Sequence, residues 1–379
     1  MERGRDKTVY KTNLIENKDY LENQILTYIG NKRTLLSHIG KEIKLIQREL
    51  NKEKLETFDI FSGSGIVARY LKQFSSKVYA NDLEQYSEII NQCYLSNNTC
   101  FDKTIYDKLL KSIQDNIIKN PIKGIISENY SPKDDKNIKK GERVFYTRKN
   151  AIFIDSFRYY IENIVPKDYK KYFLARLITE ASVHVNTSGV FKGFYKDKET
   201  GLGKFGGTAG NALSRITGDF DVSAPVLSNF QTESCVFRED ANIVSKKVKN
   251  LDITYLDPPY NQHPYGSNYF MLNLILDNKM PSEISKVSGI PTNWNHSIYN
   301  KKQTALNGLE DIVSNLDSKY CIFSYNNEGF ISKEDMEKML SKYGNVKTTA
   351  IEYNTFRGCR NLRERNLKTR EYLFVLKKR

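Results

Sequence analysis

The chain reads as an α/β fold: a doubly wound parallel sheet interrupted by a smaller inserted module. Strand-like and helical periodicities alternate near both ends of the 379 residues. A glycine turn, Phe61-Ser62-Gly63-Ser64-Gly65, follows the first strand pattern and opens a helix. An apolar run, Leu251 to Leu256, closes in the tetrapeptide Asp257-Pro258-Pro259-Tyr260. Open sheets of this class bind ligands at the C-terminal ends of their strands.

The elements follow in order. Met1 to about Gln24 is polar and predicts an arm or a loosely attached helix. Arg33 to Leu50 carries apolar residues at helical spacing and predicts an amphipathic helix. Leu55 to Ser62 is the first strand, Ile66 to Phe74 a helix, Lys77 to Asp82 a second strand ending in an acid, and Gln85 to Leu95 another helix. From 96 to 235 the chain is rich in Lys, Asn, Tyr and Gly, and clear β-α alternation stops. Within this stretch Lys119 to Lys149 holds nine basic and four acidic residues. Thr187 to Gly207 predicts a β-hairpin with a long glycine-rich loop. Strand signals resume at Cys235 to Arg238, Leu251 to Leu256, Lys319 to Tyr325, Val346 to Tyr353 and Tyr372 to Lys377, giving seven in all. Helical patterns at Leu306 to Leu316 and Lys333 to Leu340 fall between them. The predicted division is therefore 1–95 and 236–379 for the sheet domain, with 96–235 inserted.

Composition narrows the function. Hydrophobic residues at 39% and a formal charge of +14 suit a folded protein with a polyanionic partner such as nucleic acid, although a generic lysine-rich surface would give the same sum. Five cysteines without a C-x-x-C pair argue against a disulfide framework or a zinc ribbon. Four scattered histidines show no metal-ligand spacing. No apolar run approaches a membrane span and the charged start lacks a signal-peptide core, so a cytoplasmic location is expected.

The motifs carry the chemistry. Glycines at 63 and 65 let a ligand approach the backbone closely, although a tight turn with no ligand would look the same. The turn is shorter than the dinucleotide fingerprint and lacks the lysine of a phosphate-binding loop. Asp82, about 20 residues beyond the first turn, is placed to accept hydrogen bonds from ribose hydroxyls; its plain alternative is a turn or capping role. Asp240, after the third strand, suits the amino group of a cofactor adenine or caps the helix at Ala241. At 257–260 an acid, two rigid prolines and an aromatic ring form a clamp for a planar base bearing an amino group. The carboxylate of Asp257 and the carbonyl of Pro258 can each accept one N–H of an exocyclic amine, localising a lone pair otherwise delocalised into the ring. Pro258 and Pro259 fix the carbonyl direction at little entropic cost. Tyr260 offers a flat face for an extruded base, a stacking worth about 1–3 kcal/mol. An ordinary Pro-Pro turn is the plain alternative. Such a target is out of reach inside a duplex, so base flipping is implied.

Taken together, Tyr28-Ile29-Gly30-Asn31-Lys32, the glycine turn, Asp82 and the 257–260 clamp resemble the Dam-like, α-group adenine-specific DNA methyltransferases, over about 1–95 and 235–379. Phe323-Ser324-Tyr325-Asn326 and Arg357 to Leu373 resemble later family motifs less distinctively, and His263 to Asn273 with the GVFKGFY segment looks closer to the methylases of type IIS restriction systems. The resemblance implies a seven-stranded, Rossmann-like S-adenosylmethionine-dependent sheet with a target-recognition module between the ribose acid and the clamp. It places Tyr28, Gly30, Lys32, Phe61, Gly63, Gly65, Asp82, Asp240 and Asp257 around S-adenosyl-L-methionine, Tyr28 and Lys32 at its methionyl end. It gives the glycine-jointed loop a DNA role, with Lys192, Tyr195, Lys196 and Lys204 entering a groove and Phe194 or Tyr195 wedging into the stack. Arg357, Arg360, Arg363 and Arg365 are phosphate-contact candidates, or part of a solvated basic face.

The expectation is therefore methyl transfer to the 6-amino group of a flipped adenine in double-stranded DNA, without a metal. The enzyme would act as a monomer in a restriction-modification system with a cognate endonuclease. An RNA adenine methyltransferase and an inactive DNA-binding protein of the same fold are the alternatives. Glutamine- and cytosine-directed relatives of the fold usually carry Asn or Ser in place of Asp257.

Overall fold

The computed structural model describes residues 14–207, 210–354 and 368–379. Seven strands form one sheet: β1 Leu55–Asp59, β2 Ser75–Asp82, β3 Glu233–Arg238, β4 Leu251–Leu256, β5 Ser318–Asn326, β6 Gly344–Asn354 and β7 Lys368–Lys378. Their order is β3-β2-β1-β4-β5-β7-β6, parallel from β3 to β5, with β7 running antiparallel to both of its neighbours. The order of succession reverses between β1 and β4, and a crevice opens at such a switch point. The predicted mostly parallel α/β sheet is borne out, with every strand within a few residues of its sequence position.

The strands form because both of their faces can be buried. β4 is buried at all six positions, and its one charged residue, Asp252, is paired with Lys52 and Lys319. In β5, Tyr320 and Ile322 pack on one face while Cys321 and Phe323 pack on the other. The first face is covered by the helices Leu36–Leu50 and Ile66–Leu71, through Ile39, Ile43, Val67 and Leu71. The second is covered by Ala241–Val244, Lys302–Asn315 and Lys333–Ser341, through Val244, Leu309, Ile312 and Leu340.

The insert is largely helical. Asp102 caps Lys103–Lys119, Thr147 caps Arg148–Ile164, and Pro166 precedes Lys167–Val183. The apolar spacing Tyr106, Leu110, Ile113, Ile117 is helical, but intervening lysines and asparagines mask it. These helices share one apolar cluster with Tyr86 and Ile90 of Gln85–Tyr94 and with Phe270 and Met271 of Phe270–Asp277. The inserted residues are thus anchored directly on the helices beside the sheet.

Two expectations change. The hairpin between 187 and 207 reduces to a single antiparallel bridge, Lys196 with Gly203, because its glycines leave little side-chain packing to stabilise a ladder. The N-terminal helix, Lys18–Glu22, is firmly docked: Tyr20 is only 1% exposed and donates to the Tyr94 carbonyl at 2.6 Å.

Candidate active site

A crevice opens at the switch point. Its lining includes Tyr28, Gly30, Lys32, Phe61, Gly63, Asp82, Asp240, Asp257 and Pro259, which approach from five separated stretches of sequence. Gly65 stands just behind the lining: at φ +74° it donates to the Ser62 carbonyl at 2.7 Å and starts the next helix. Pro258 is buried, and Tyr260 stands edge-on to Tyr325 with ring centres 6.0 Å apart.

The glycine turn is held by its neighbours. Asn81 Nδ2 donates to the carbonyls of Ile60 and Glu239, each at 3.1 Å, tying the ends of β1, β2 and β3 together. Gly63 adopts φ +51° and donates its N–H to Asp82 Oδ2 at 2.8 Å, while Asp82 Oδ1 accepts from Glu84 N at 2.9 Å. A Cβ on Gly63 would lie 2.9 Å from the Tyr28 ring, so the glycine creates the close approach. Tyr28 stacks against both Tyr265 and Tyr269, with centres 5.0 and 4.7 Å away, and the Tyr269 hydroxyl accepts from Ile29 N at 2.8 Å. Asp240 caps its helix by accepting from Asn242 N at 2.8 Å, and it also lines the crevice.

Three acids that sequence reasoning passed over complete the electrostatics. Asp59, at the end of β1, is 1% exposed, and neither of its oxygens has a well-aligned donor. Burial, then the charge of Asp257, raises its carboxyl well above the usual range, and the N–H groups of Ala68 and Phe61 pull it back only in part. Glu84 is pushed up to about 7 by burial and by Asp82, despite hydrogen bonds from Asn273 and Asn295. Glu371, on β7, lies 3.2 Å from Lys32 Nζ. The available signal was positional: Asp59 stands two residues before Phe61, and Glu371 immediately precedes the run Tyr372 to Leu376.

At the clamp, Lys32 Nζ sits 2.9 Å from Asp257 Oδ1 and 5.7 Å from the Tyr260 ring centre. Burial raises Asp257 to about 6, the ammonium of Lys32 opposing and Glu371 adding to the rise. Lys32 itself, which burial alone would lower, is carried well above its usual value by Asp257 and Glu371.

The 187–207 loop leans against this mouth. Phe191 N donates to the Asn268 carbonyl at 2.7 Å, just beyond the clamp. Exposed Lys192 is close enough to His263 to depress it, after burial has done so first. Phe194 packs edge-on to Phe145 at 5.3 Å with Lys196 5.2 Å above its face, and Lys204 pairs with Asp197 at 3.7 Å. Tyr195 is half-buried beside Gly207. Arg357, Arg360, Arg363 and Arg365 lie outside the described residues.

The crevice suits S-adenosylmethionine. The turn admits a ligand against the backbone, Asp82 stands at the end of β2, and the orphaned Asp59 carboxyl would be satisfied by a ligand ammonium. Among the described residues no cluster of His, Cys, Asp and Glu could hold a metal ion.

Comparison with known proteins agrees. The family described as D12 class N6 adenine-specific DNA methyltransferase matches residues 28–339. The chain is 31% identical to the Type II methyltransferase M.CviAII of Paramecium bursaria Chlorella virus 1, over 85% of this chain and 93% of that protein. It is 29% identical to the Type II methyltransferase M.NlaIII of Neisseria lactamica, over 93% of this chain and 99% of that one. It is 28% identical to the Modification methylase StsI of Streptococcus sanguinis over 93% of its own length, but spans only 52% of that relative.

Proposed function

The chain belongs to the D12 class of N6 adenine-specific DNA methyltransferases, and from that premise we propose how its own residues carry out the transfer. Tyr28, Gly30, Phe61, Gly63, Gly65, Asp82 and Asp240 hold S-adenosylmethionine, with Asp59 toward its ammonium. When bound, the cofactor supplies a methyl group already activated on a sulfonium. The protein therefore contributes orientation and electrostatics. Asp257 and the Pro258 carbonyl accept the two N–H groups of the adenine amine and expose its lone pair. Tyr260 stacks on the everted base, and Pro258 and Pro259 keep the acceptor direction fixed. The observation that carries this reading is one crevice holding both the Asp82–Gly63 contact and the Asp257 carboxylate.

Residues 96–235 serve as the target-recognition module. Lys192, Phe194, Tyr195, Lys196 and Lys204 face the DNA, and Arg357, Arg360, Arg363 and Arg365 add phosphate contacts. The relatives' names, type II methyltransferase and modification methylase, support a place in restriction-modification, and to that we add a cognate endonuclease acting on the same site. No helix of the described residues is long and apolar enough to cross a membrane; we place the enzyme in the cytoplasm, as a monomer. Incubation of duplex DNA with labelled S-adenosylmethionine, followed by digestion and mass spectrometry, tests the reading. Label in N6-methyladenine is expected; label confined to cytosine, protein or RNA refutes it.

A further inference from the structure

An ammonium carries three N–H donors, and each of those on Lys32 has a protein acceptor. They are Asp257 Oδ1 at 2.9 Å, Glu371 Oε1 at 3.2 Å and the Gly30 carbonyl at 3.2 Å. With the residue 5% exposed, no donor is left over for a cofactor carboxylate. Glu371 is itself held from the next strand. β5 and β7 pair so that Asn326 stands opposite Glu371. Ser324 Oγ donates to Glu371 Oε1 at 2.6 Å, and Asn326 Nδ2 donates to Oε2 at 3.3 Å.

We propose that Lys32 and Glu371 are positioning residues for Asp257 rather than cofactor ligands. The ammonium occupies Oδ1 and so turns Oδ2 toward the amine, while Glu371 anchors that ammonium from the antiparallel strand. This inference rests on the methyl-transfer reading and assigns Lys32 differently from the family resemblance. It gives the reversed strand β7 a functional reason: it carries a carboxylate to the clamp from the side opposite the cofactor turn.

The charges facing Asp257 are Lys32 from the N-terminal segment, Glu371 from β7 and Asp59 from β1, with the hydroxyls of Tyr255, Tyr260 and Tyr265 nearby. Asp59 is held toward its neutral form, so Lys32 and Glu371 set the local balance. Lys32 lowers the Asp257 carboxyl and Glu371 raises it. Removing either should move the acid limb of kcat/KM in opposite directions.

For Lys32→Met the limb is expected to rise by about 1–3 pH units, the usual effect of losing an adjacent opposite charge, while S-adenosylhomocysteine affinity by calorimetry stays unchanged. For Glu371→Gln the limb should fall, and the double variant should lie between the two. An unmoved limb with weakened S-adenosylhomocysteine binding would show Lys32 to be a cofactor ligand and overturn the proposal. If Lys32→Met does not fold, Glu371→Gln decides alone: a limb that stays put or rises overturns it. The wild-type assay separates the two readings, since absence of adenine methylation there would remove the parent function, not this pairing.

Discussion

Asp257 is placed between two demands. To polarise the amine strongly, and not merely accept its hydrogen, it must be ionised, yet burial pushes its carboxyl up to about 6. Since the ionised form is the active one, activity should be full above that value and fall as pH drops through it. Asp257→Ala should lower kcat by at least about 10²–10³-fold, the usual cost of removing a preorganised polar group, with S-adenosylhomocysteine binding still measurable. Asp257→Asn keeps an acceptor oxygen without the charge, so its residual activity should lose the acid limb. Unimpaired turnover in the alanine variant would remove Asp257 from the chemistry.

The turn after β1 works as a unit because backbone conformation and a neighbouring ring are coupled there. At Gly63 the left-handed φ of +51° and the Tyr28 ring 2.9 Å from a virtual Cβ act on the same atom position. Gly63→Ala should cost about 1–2 kcal/mol for the backbone alone and push Tyr28 off its stack with Tyr265 and Tyr269. Weaker S-adenosylhomocysteine binding by about tenfold, equivalent to about 1.4 kcal/mol, is the expected readout, with DNA affinity untouched. Wild-type binding in that variant would mean the turn does not approach the cofactor. The helices of the insert carry a different lesson. They hold the loop at 187–207 by their shared cluster with Gln85–Tyr94 and Phe270–Asp277, so the loop itself needs little regular structure.

Over the whole molecule, a charge of +14 favours a phosphate backbone, and its strength is set by how many cations reach it. Lys192 is exposed beside His263 at the mouth, and Lys204 stands with Asp197 on the same loop. Replacing both lysines with Ala should weaken DNA binding and flatten the log–log salt dependence by about two units, roughly one per lost phosphate contact. Titration of duplex binding at several salt concentrations measures this. An unchanged slope would place the DNA elsewhere on the surface.

The sequence by itself determined the seven strands, the turn and the clamp, because each rests on local chemistry: β-period burial, glycine at positive φ, and prolines fixing a carbonyl. It also placed Asp82 and Asp257 at strand ends, where position along the chain already fixes position on the sheet edge. Only the tertiary structure decided what surrounds them. Glu371 lies more than 100 residues beyond the clamp and reaches Lys32 only because β7 runs antiparallel to β5. Asp59 reads as an ordinary strand residue until the fold buries it without a well-aligned donor. The insert's helices were hidden among lysines and asparagines, since their apolar faces are completed by helices distant in sequence. Contacts across the sheet depend on register and direction, and a linear pattern carries neither.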